Sequence, residues 1–138
     1  MEIRELDGKH RGEAVALWDR TGLTRPWNPP DEDFDRAVSG QGSAVLGVID
    51  DDRLVATAMV GHDGHRGWVY YLAVDPDAQS AGVGRAVMEA AGAWVRDAGI
   101  PKIQLMVRST NTAALRFYDA VGYTSEDTVV LSRWLDPP

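Results

Sequence analysis

Residues Trp68–Val107 constrain the fold more than any other part of the chain, because two apolar runs flank a glycine turn and a helical stripe. The apolar run Trp68–Val74 predicts a strand, and apolar residues at helical spacing over Val83–Ala98 predict a helix. Ile103–Val107 predicts a second strand, parallel to the first because a helix crosses between the two. The first strand is apolar almost throughout, so we expect it to be central and covered on both faces.

The turn Gln79–Arg85 connects this strand to this helix and contains two glycines. Such a turn exposes backbone N–H groups at the positive end of the helix dipole, which favours a phosphate or pyrophosphate. The turn is not a Walker A loop, because no Gly-Lys-Ser/Thr follows, and Val87 stands where the dinucleotide fingerprint needs a third glycine. The alternative interpretation is a helix that merely begins with small residues.

Several strands precede this unit and a short helix follows it. Asp50–Arg53 has the composition of a hairpin turn, and three prolines within Arg25–Pro30 predict a loop. The predicted elements begin with several strands and end in the order β-α-β-α-β. This order predicts an α/β (α+β layered) fold with a mixed sheet. The other predicted elements are strands at Met1–Leu6, Ser43–Ile49 and Leu54–Gly61, helices at Gly12–Thr21, Asp31–Val38 and Thr112–Ala120, and one or two closing strands within Tyr123–Leu135.

The composition is that of an ordinary globular chain. Its 138 residues, 44% hydrophobic and 25% charged, predict a single domain spanning residues 1–138. The absence of cysteine excludes disulfides, thiolate metal sites and a covalent cysteine intermediate, and it suits the cytoplasm. A net charge of −7 argues against nonspecific nucleic-acid binding and favours a cationic partner such as an amine, although acidity also serves solubility alone. Met1–Glu5 lacks a signal-peptide core, and no apolar run approaches the roughly 18 residues that span a bilayer.

A second motif, Asn111–Tyr118 followed by Gly122-Tyr123, lies downstream of the glycine turn. In order and spacing, the two motifs resemble the GNAT superfamily of acyl-CoA-dependent N-acetyltransferases, and the resemblance covers about Ala44–Leu135. It implies a mixed, mostly antiparallel central sheet with splayed parallel strands and helices on both faces. Three further stretches resemble the YpeA-type bacterial subgroup: Leu23–Asn28, Asp63–Trp68 and Lys102–Arg108.

The resemblance implies an enzyme that moves an acetyl group from acetyl-CoA to a primary amine of a small molecule or a protein. With no cysteine to hold an acyl group, the amine would attack directly in a ternary complex. In the family, the strand matching Trp68–Val74 splays from its neighbour, and the pantetheine arm of CoA binds along it near Val74. The backbone N–H of Leu72 would then stabilise the oxyanion, typically by about 3 kcal/mol. A pure core role for these apolar side chains is equally compatible with the sequence.

The implied pyrophosphate site is the run of N–H groups from Ala81 to Arg85. Many relatives carry Gly or Arg where this chain has Ser80 and Ala81, so Arg85 would supply the missing cation, unless it is simply an exposed helix residue. Asn111 is the expected N-cap of its helix and a contact to the CoA arm, and Ala114 is small, as close approach requires. The full set of implied cofactor-binding residues is Leu72, Val74, Gln79, Ser80, Ala81, Gly82, Val83, Gly84, Arg85, Asn111, Ala114 and Tyr118.

Tyr118 is the side chain that the resemblance places in catalysis, as the proton donor to the departing CoA thiolate; the alternative is a core aromatic beside Phe117. No general base emerges from the sequence. Relatives that acetylate protein N-termini often carry Glu on the strand after the phosphate helix, where this chain has Met106. The open candidates for the base are Tyr70 or Tyr71 through water, Glu126, Asp127 and His65.

The loop Thr24–Asn28 and the turn Gly61–Gly67 would select the acceptor by family geometry, with Arg25, Trp27, Asn28 and Tyr70 as expected substrate residues. Arg25 would hold a carboxylate, and Trp27 would stack on the acceptor or plug the loop. His62 and His65 have no third ligand in reach by sequence, so we expect no metal. The rival function is a non-catalytic acyl-CoA-binding module. Trp134 and the closing strand would offer an edge for a homodimer.

Overall fold

The computed structural model describes residues 1–79 and 81–138, so the expected contact from Ser80 lies outside the described residues. The packing divides the chain into two compact units, Met1–Met106 and Val107–Pro138. No helix in the described parts of either unit is long and apolar enough to cross a membrane.

The first unit contains a five-stranded sheet and three helices. Its strands lie in the order β1-β2-β3-β4-β5. The first three pairings are antiparallel and the β4–β5 pairing is parallel, which confirms the predicted mixed sheet. The elements are β1 (Glu2–Glu5), α1 (Arg11–Arg20), α2 (Pro30–Ser39), β2 (Ser43–Asp50), β3 (Arg53–His62), β4 (Gly67–Val74), α3 (Val83–Asp97) and β5 (Ile103–Leu105), with 3-10 turns at Gly8–His10 and Pro76–Ala78.

The hairpin between β2 and β3 forms at the predicted acidic turn. Its two central residues, Asp51 and Asp52, have φ angles of 50° and 62°. Two successive positive φ angles are the signature of a type I′ turn, whose twist matches that of the paired strands, and aspartate tolerates this region better than most residues.

One face of the sheet packs against α1 and α2. Trp18, Leu17 and Phe34 are fully buried at its centre, and the Trp18 and Phe34 rings lie 6.1 Å apart. Residues from four strands or their ends complete this cluster. Its buried members are Leu6, Ala14, Leu17, Trp18, Phe34, Ala37, Val45, Leu54 and Ala73.

The opposite face packs against α3. Gly67 lies three residues before Tyr70 on β4, so the two project from opposite faces. Tyr70 pairs with Met59, which packs against the α1–α2 cluster, whereas a β-carbon at Gly67 would meet Val95 of α3. The apolar stripe predicted on α3 is buried at Val83, Val87, Ala91 and Val95, and Met88 is buried beside it. The stripe ends earlier than predicted, because Ala98 is exposed. Helices therefore cover both faces, as expected.

Two sequence-based expectations about the sheet need correction. The strand predicted as Ile103–Val107 is shorter, Ile103–Leu105. The strand β4 is internal, but it is not covered on both faces along its whole length, because Tyr70 near its middle remains 45% exposed. β5 pairs with β4 only at Gly67, Trp68 and Val69, so the assigned strand ends before Met106 and Val107.

The second unit contains α4 (Thr112–Ala120), which matches the predicted helix. Asn111 accepts a hydrogen bond from the Ala114 N–H at 3.1 Å, so its predicted N-cap role is confirmed. The closing strands predicted within Tyr123–Leu135 are wrong for the described residues, none of which is assigned to a strand there. Periodicity alone favoured strands, but Val129 and Leu131 are 83% and 89% exposed and bury no face.

We predict that Gly67→Ala destabilises the protein by about 1–3 kcal/mol, because its β-carbon would meet the Val95 methyl groups in a packed core. Those contacts would be 2.5 and 2.6 Å. Gly92→Ala on α3 is the matched control, since its β-carbon meets no atom within 4 Å in the described structure. It should instead stabilise the helix by up to about 1 kcal/mol. Urea denaturation measures both, and equal stabilities of the two variants would contradict the packing.

Candidate active site

A β-bulge interrupts β4 in the middle of the strand. Thr57 pairs with Ala73 and Met59 with Tyr70, so two residues, Tyr71 and Leu72, face the single residue between Thr57 and Met59. Tyr71 has a φ of 51°, in the left-handed region. A non-glycine residue there costs energy and persists only where its surroundings hold it.

The bulge reverses the direction of the backbone groups of β4. The Gly67 N–H donates to the Lys102 carbonyl at 2.8 Å, on the β5 side, whereas the Asp75 N–H donates to the Val55 carbonyl at 2.8 Å, on the β3 side. In an unbroken strand, residues separated by an even number have their N–H groups on the same side. The extra residue at the bulge accounts for the reversal. Beyond it, the N–H groups of Leu72 and Val74 face the β5 side.

The β5 side of β4 is open beyond Val69. Among the described residues, β5 pairs with β4 only at Gly67, Trp68 and Val69. The edge from Tyr70 to Val74 therefore presents backbone donors and acceptors to an extended ligand, in the manner of strand addition. This open edge matches the splay that the family resemblance implies.

Tyr71 is held by side chains from two helices, α1 and α2. Its ring stacks on Trp18 with centroids 4.0 Å apart and planes at 14°, and its hydroxyl donates to Asp33 Oδ2 at 2.7 Å. Burial, followed by the hydrogen bond to Asp33, raises the pKa of Tyr71 far above its usual range. A phenol that is protonated and already donating cannot take a proton from an ammonium group, which argues against Tyr71 as the general base.

Asp75 fixes the end of β4 and the start of the glycine turn. This carboxylate is only 4% exposed. It accepts from the Asp77 N–H at 3.0 Å and pairs with Arg20 at 3.0 Å and Arg53 at 3.5 Å. The Asp77 N–H first, and the two guanidinium groups as well, hold the pKa of Asp75 below its usual value.

The glycine turn leads into α3 as predicted. Gly82 is the N-cap with a φ of 75°, which requires glycine in practice. The first hydrogen bond of the helix runs from the Ala86 N–H to the Gly82 carbonyl. The N–H groups of Val83 and Gly84 therefore have no carbonyl acceptor within the helix. The first turn of α3, which the structure describes in full, contains no acidic residue. This N-terminus can therefore receive an anion. Gln79 Nε2 donates to the Val74 carbonyl at 3.4 Å, and Ala81 is exposed.

The residues expected to bind the acceptor substrate lie on exposed or half-buried positions of the first unit. The Arg25 guanidinium donates to the carbonyls of Gly22 and Thr24, both at 2.8 Å, and so braces its own loop. The Asn28 N–H closes that loop on the Arg25 carbonyl, and Trp27 is 43% exposed. Tyr70 is 45% exposed, and burial, followed by the charge of Asp63, raises its pKa.

The remaining candidates for the general base show no built proton path. Met106, which stands where some relatives carry Glu, is 50% exposed and is not a candidate because it offers no basic group. His65 lies on an exposed turn, where its backbone N–H donates to Asp63 Oδ1 at 2.9 Å. Glu126 and Asp127 are exposed in the second unit. Among the described residues no group of three or more His, Asp or Glu is placed to hold a metal ion.

Tyr118 lies in an aromatic cluster of the second unit. Its ring makes T-shaped contacts with the rings of Phe117 and Tyr123, with centroids 5.2 Å and 5.9 Å away. Burial, followed by the influence of Tyr123, raises the pKa of Tyr118 to about 12. Its hydroxyl is therefore a hydrogen-bond donor at neutral pH.

The sequence matches the model of the acetyltransferase (GNAT) family over residues 13–123. It is 34% identical over 135 residues to an acetyltransferase of Yersinia enterocolitica, covering 98% of this chain and 96% of the relative. It is 37% identical over 131 residues to an acetyltransferase of Sodalis glossinidius, covering 95% and 92%. The chain therefore belongs to the GNAT acetyltransferase family and is an acyltransferase. The finer resemblance to the YpeA-type subgroup stays a prediction.

Solved structures share the fold. An aminoglycoside acetyltransferase, AAC(6')-Iy, solved with the bisubstrate analogue CoA-S-monomethyl-acetylneamine, superposes with a TM-score of 0.84 at 15% identity, over 96% of this chain and 97% of that one. The tetramutant of the BH1408 protein from Bacillus halodurans gives a TM-score of 0.76 at 23% identity, over 97% of this chain and 100% of that one. These likenesses confirm the predicted GNAT-like fold class.

Sequence reasoning missed the side chains that support the bulge. Thr57 is fully buried in β3, where its hydroxyl bonds to Trp18 and to the Tyr71 carbonyl. A signal was available, because Thr57 is the one polar residue in the run Leu54–Val60, and a buried hydroxyl requires partners. Asp33 carried no such signal, since it is one acid among several in the first turn of α2.

We predict that Asp75→Asn lowers stability by about 1–2 kcal/mol at pH 7, because Asn keeps the Asp77 hydrogen bond but loses the charge facing two arginines. The pKa of Asp75 is lowered on folding, so its contribution is fully present above the unfolded pKa of about 3.9 and is lost as the pH falls through the folded value. Unfolding from pH 7 to 3 should therefore show a flatter acid slope in the variant. Parallel slopes would contradict the ion pairs.

Proposed function

We propose that this chain is an acetyl-CoA-dependent N-acetyltransferase that acts on a primary amine of a small molecule or a protein, with residues 1–138 as one working domain. The observation that carries the proposal is the open edge of β4, where the Leu72 and Val74 N–H groups face the β5 side. An extended amide-containing arm such as pantetheine can pair with that edge as an added strand.

The two ends of the cofactor have matching partners in the first unit. The N–H groups at the start of α3 and the positive end of its dipole fit a pyrophosphate. Leu72 lies ten residues before Gly82 along the chain, and the anchored segment from Asp75 to Gln79 connects their two sites. The family match over residues 13–123 covers both. AAC(6')-Iy was solved with a CoA-containing analogue, and we extend CoA use to this chain on the family match.

The reaction follows from these groups. The amine nitrogen attacks the thioester carbonyl carbon, negative charge develops on the carbonyl oxygen, and the Leu72 N–H stabilises that charge. The C–S bond then breaks, the thiolate leaves, and the nitrogen gives its extra proton to solvent, which leaves a neutral amide. An alkylammonium group has a pKa near 10, so the acceptor must first lose a proton to solvent or to a base. Water at exposed Tyr70 is the proton path we favour, because Tyr71 is occupied by Asp33.

Tyr118 would assist the leaving group by hydrogen bonding rather than by net proton loss. The phenol pKa of about 12 lies above the thiol value of about 8.5, so the thiolate is the weaker base and the proton stays on tyrosine. A protonated phenol near the sulfur still stabilises its developing charge.

The test begins with thermal unfolding in the presence of acetyl-CoA, CoA or ATP. Acetyl-CoA at about a hundredfold over its Kd should add roughly 2.7 kcal/mol, on the order of ten degrees at this size. A set of amines and amino-terminal peptides then follows, with thiol release as the readout. Binding with amine-dependent release supports the enzyme, binding with no release by any amine supports the acyl-CoA-binding module, and no binding at millimolar ligand overturns both.

We predict that Tyr118→Phe lowers kcat by about tenfold or more with little change in the Kd for acetyl-CoA, because only the leaving-group contact is lost. Tyr123→Phe is the matched control, since it removes a neighbouring hydroxyl from the same aromatic cluster and should leave turnover unchanged. Steady-state kinetics and calorimetry measure the two quantities. Equal kcat values for Tyr118→Phe and the parent would remove Tyr118 from the mechanism.

A further inference from the structure

We propose that Thr57 and Trp18 are positioning residues for acyl transfer, which fix the Tyr71–Leu72 peptide so that its N–H faces the thioester carbonyl. The proposal rests on the acetyl-CoA cleft proposed above. It adds a hydrogen-bond relay that starts in the α1–α2 core and ends at the open edge of β4.

The relay has a fixed direction. Trp18 Nε1 lies 2.8 Å from Thr57 Oγ1, and Thr57 Oγ1 lies 2.9 Å from the Tyr71 carbonyl oxygen. An indole N–H only donates and a carbonyl oxygen only accepts. The Thr57 hydroxyl must therefore accept from Trp18 and donate to Tyr71. Both Trp18 and Thr57 are fully buried, so solvent does not compete for these bonds.

Peptide geometry carries this constraint to Leu72. The Tyr71 carbonyl and the Leu72 N–H belong to one planar, trans peptide unit, in which they point in opposite directions. Because Thr57 holds the carbonyl on its own side, the N–H points away from Thr57. The register reversal at the bulge gives the same result, since it places the Leu72 N–H on the β5 side.

The relay also polarises the peptide that it orients. Hydrogen bonds in a chain strengthen one another in a low-dielectric interior. Donation to the Tyr71 carbonyl makes the N–H of the same peptide a stronger donor. Stacking of the Tyr71 ring on Trp18 and its bond to Asp33 hold the left-handed backbone in place, so the donor is set before the ligand arrives.

A merely structural role for Thr57 makes a different prediction from a positioning role. A buried hydroxyl that only satisfies its neighbours affects stability when removed. A hydroxyl that positions Leu72 also changes the hydrogen bond to the bound thioester. The carbonyl stretch of acetyl-CoA reports that bond directly, because hydrogen bonding lowers its frequency.

The experiment is isotope-edited infrared spectroscopy of acetyl-CoA, labelled with carbon-13 at the acetyl carbonyl and bound to the full chain. Thr57→Val removes the hydroxyl at nearly constant shape, and Thr57→Ser is the matched control that keeps it. The parent and Thr57→Ser should show the carbonyl stretch below its value in free acetyl-CoA. Thr57→Val should lose most of that shift, with the Kd for acetyl-CoA changed by less than about fivefold, because the other CoA contacts remain.

An unchanged stretch in Thr57→Val, with acetyl-CoA bound, would overturn the relay while leaving the proposed function intact. A parent protein that fails to bind acetyl-CoA would overturn the proposed function and the relay with it. Should Thr57→Val fail to fold, Thr57→Cys provides the second test, since its thiol fits the same space and is a weaker donor. Its stretch should lie between those of the parent and free acetyl-CoA, and a stretch equal to that of the parent would overturn the relay.

Discussion

One left-handed residue inside a β-strand, Tyr71, decides the geometry of the candidate site. Its φ of 51° inserts the extra residue that turns the Leu72 and Val74 N–H groups from β3 toward the open side of β4. That conformation is unfavourable in isolation. It is held from the carbonyl by Thr57, from the ring by Trp18 and from the hydroxyl by Asp33. The α1–α2 core therefore supports the conformation of the candidate site, although none of its side chains needs to touch a ligand.

The end of β4 is fixed by a second, electrostatic anchor. Asp75 ties the exit of the strand to Arg20 of α1 and Arg53 of β3, and it caps the turn that leads to Gly82. The open edge and the N-terminus of α3 are thus attached to the same sheet. Ligands that span both gain from this preorganisation, since neither end must be ordered on binding.

The buried polar side chains of the first unit lie beside the candidate site. Thr57 and Asp75 are its buried polar residues in the described chain, and both have their hydrogen-bonding groups satisfied. Each lies beside β4, one at the bulge and one at the exit. A hydroxyl or carboxylate in such a position costs desolvation unless it is paired, so the packing that satisfies it also sets the direction of the adjacent backbone.

The sequence by itself determined the order and type of most elements, the glycine turn before α3, the Asn111 cap and the family. These depend on periodicity and on residues with distinctive local chemistry, such as a glycine at positive φ. Only the tertiary structure decided the bulge at Tyr71, the early end of β5, the pairing of Asp33 with the Tyr71 hydroxyl and the exposure of residues 129–135. Those features arise from register and from contacts between side chains far apart in sequence, such as Trp18 and Thr57, and local patterns carry no record of such contacts.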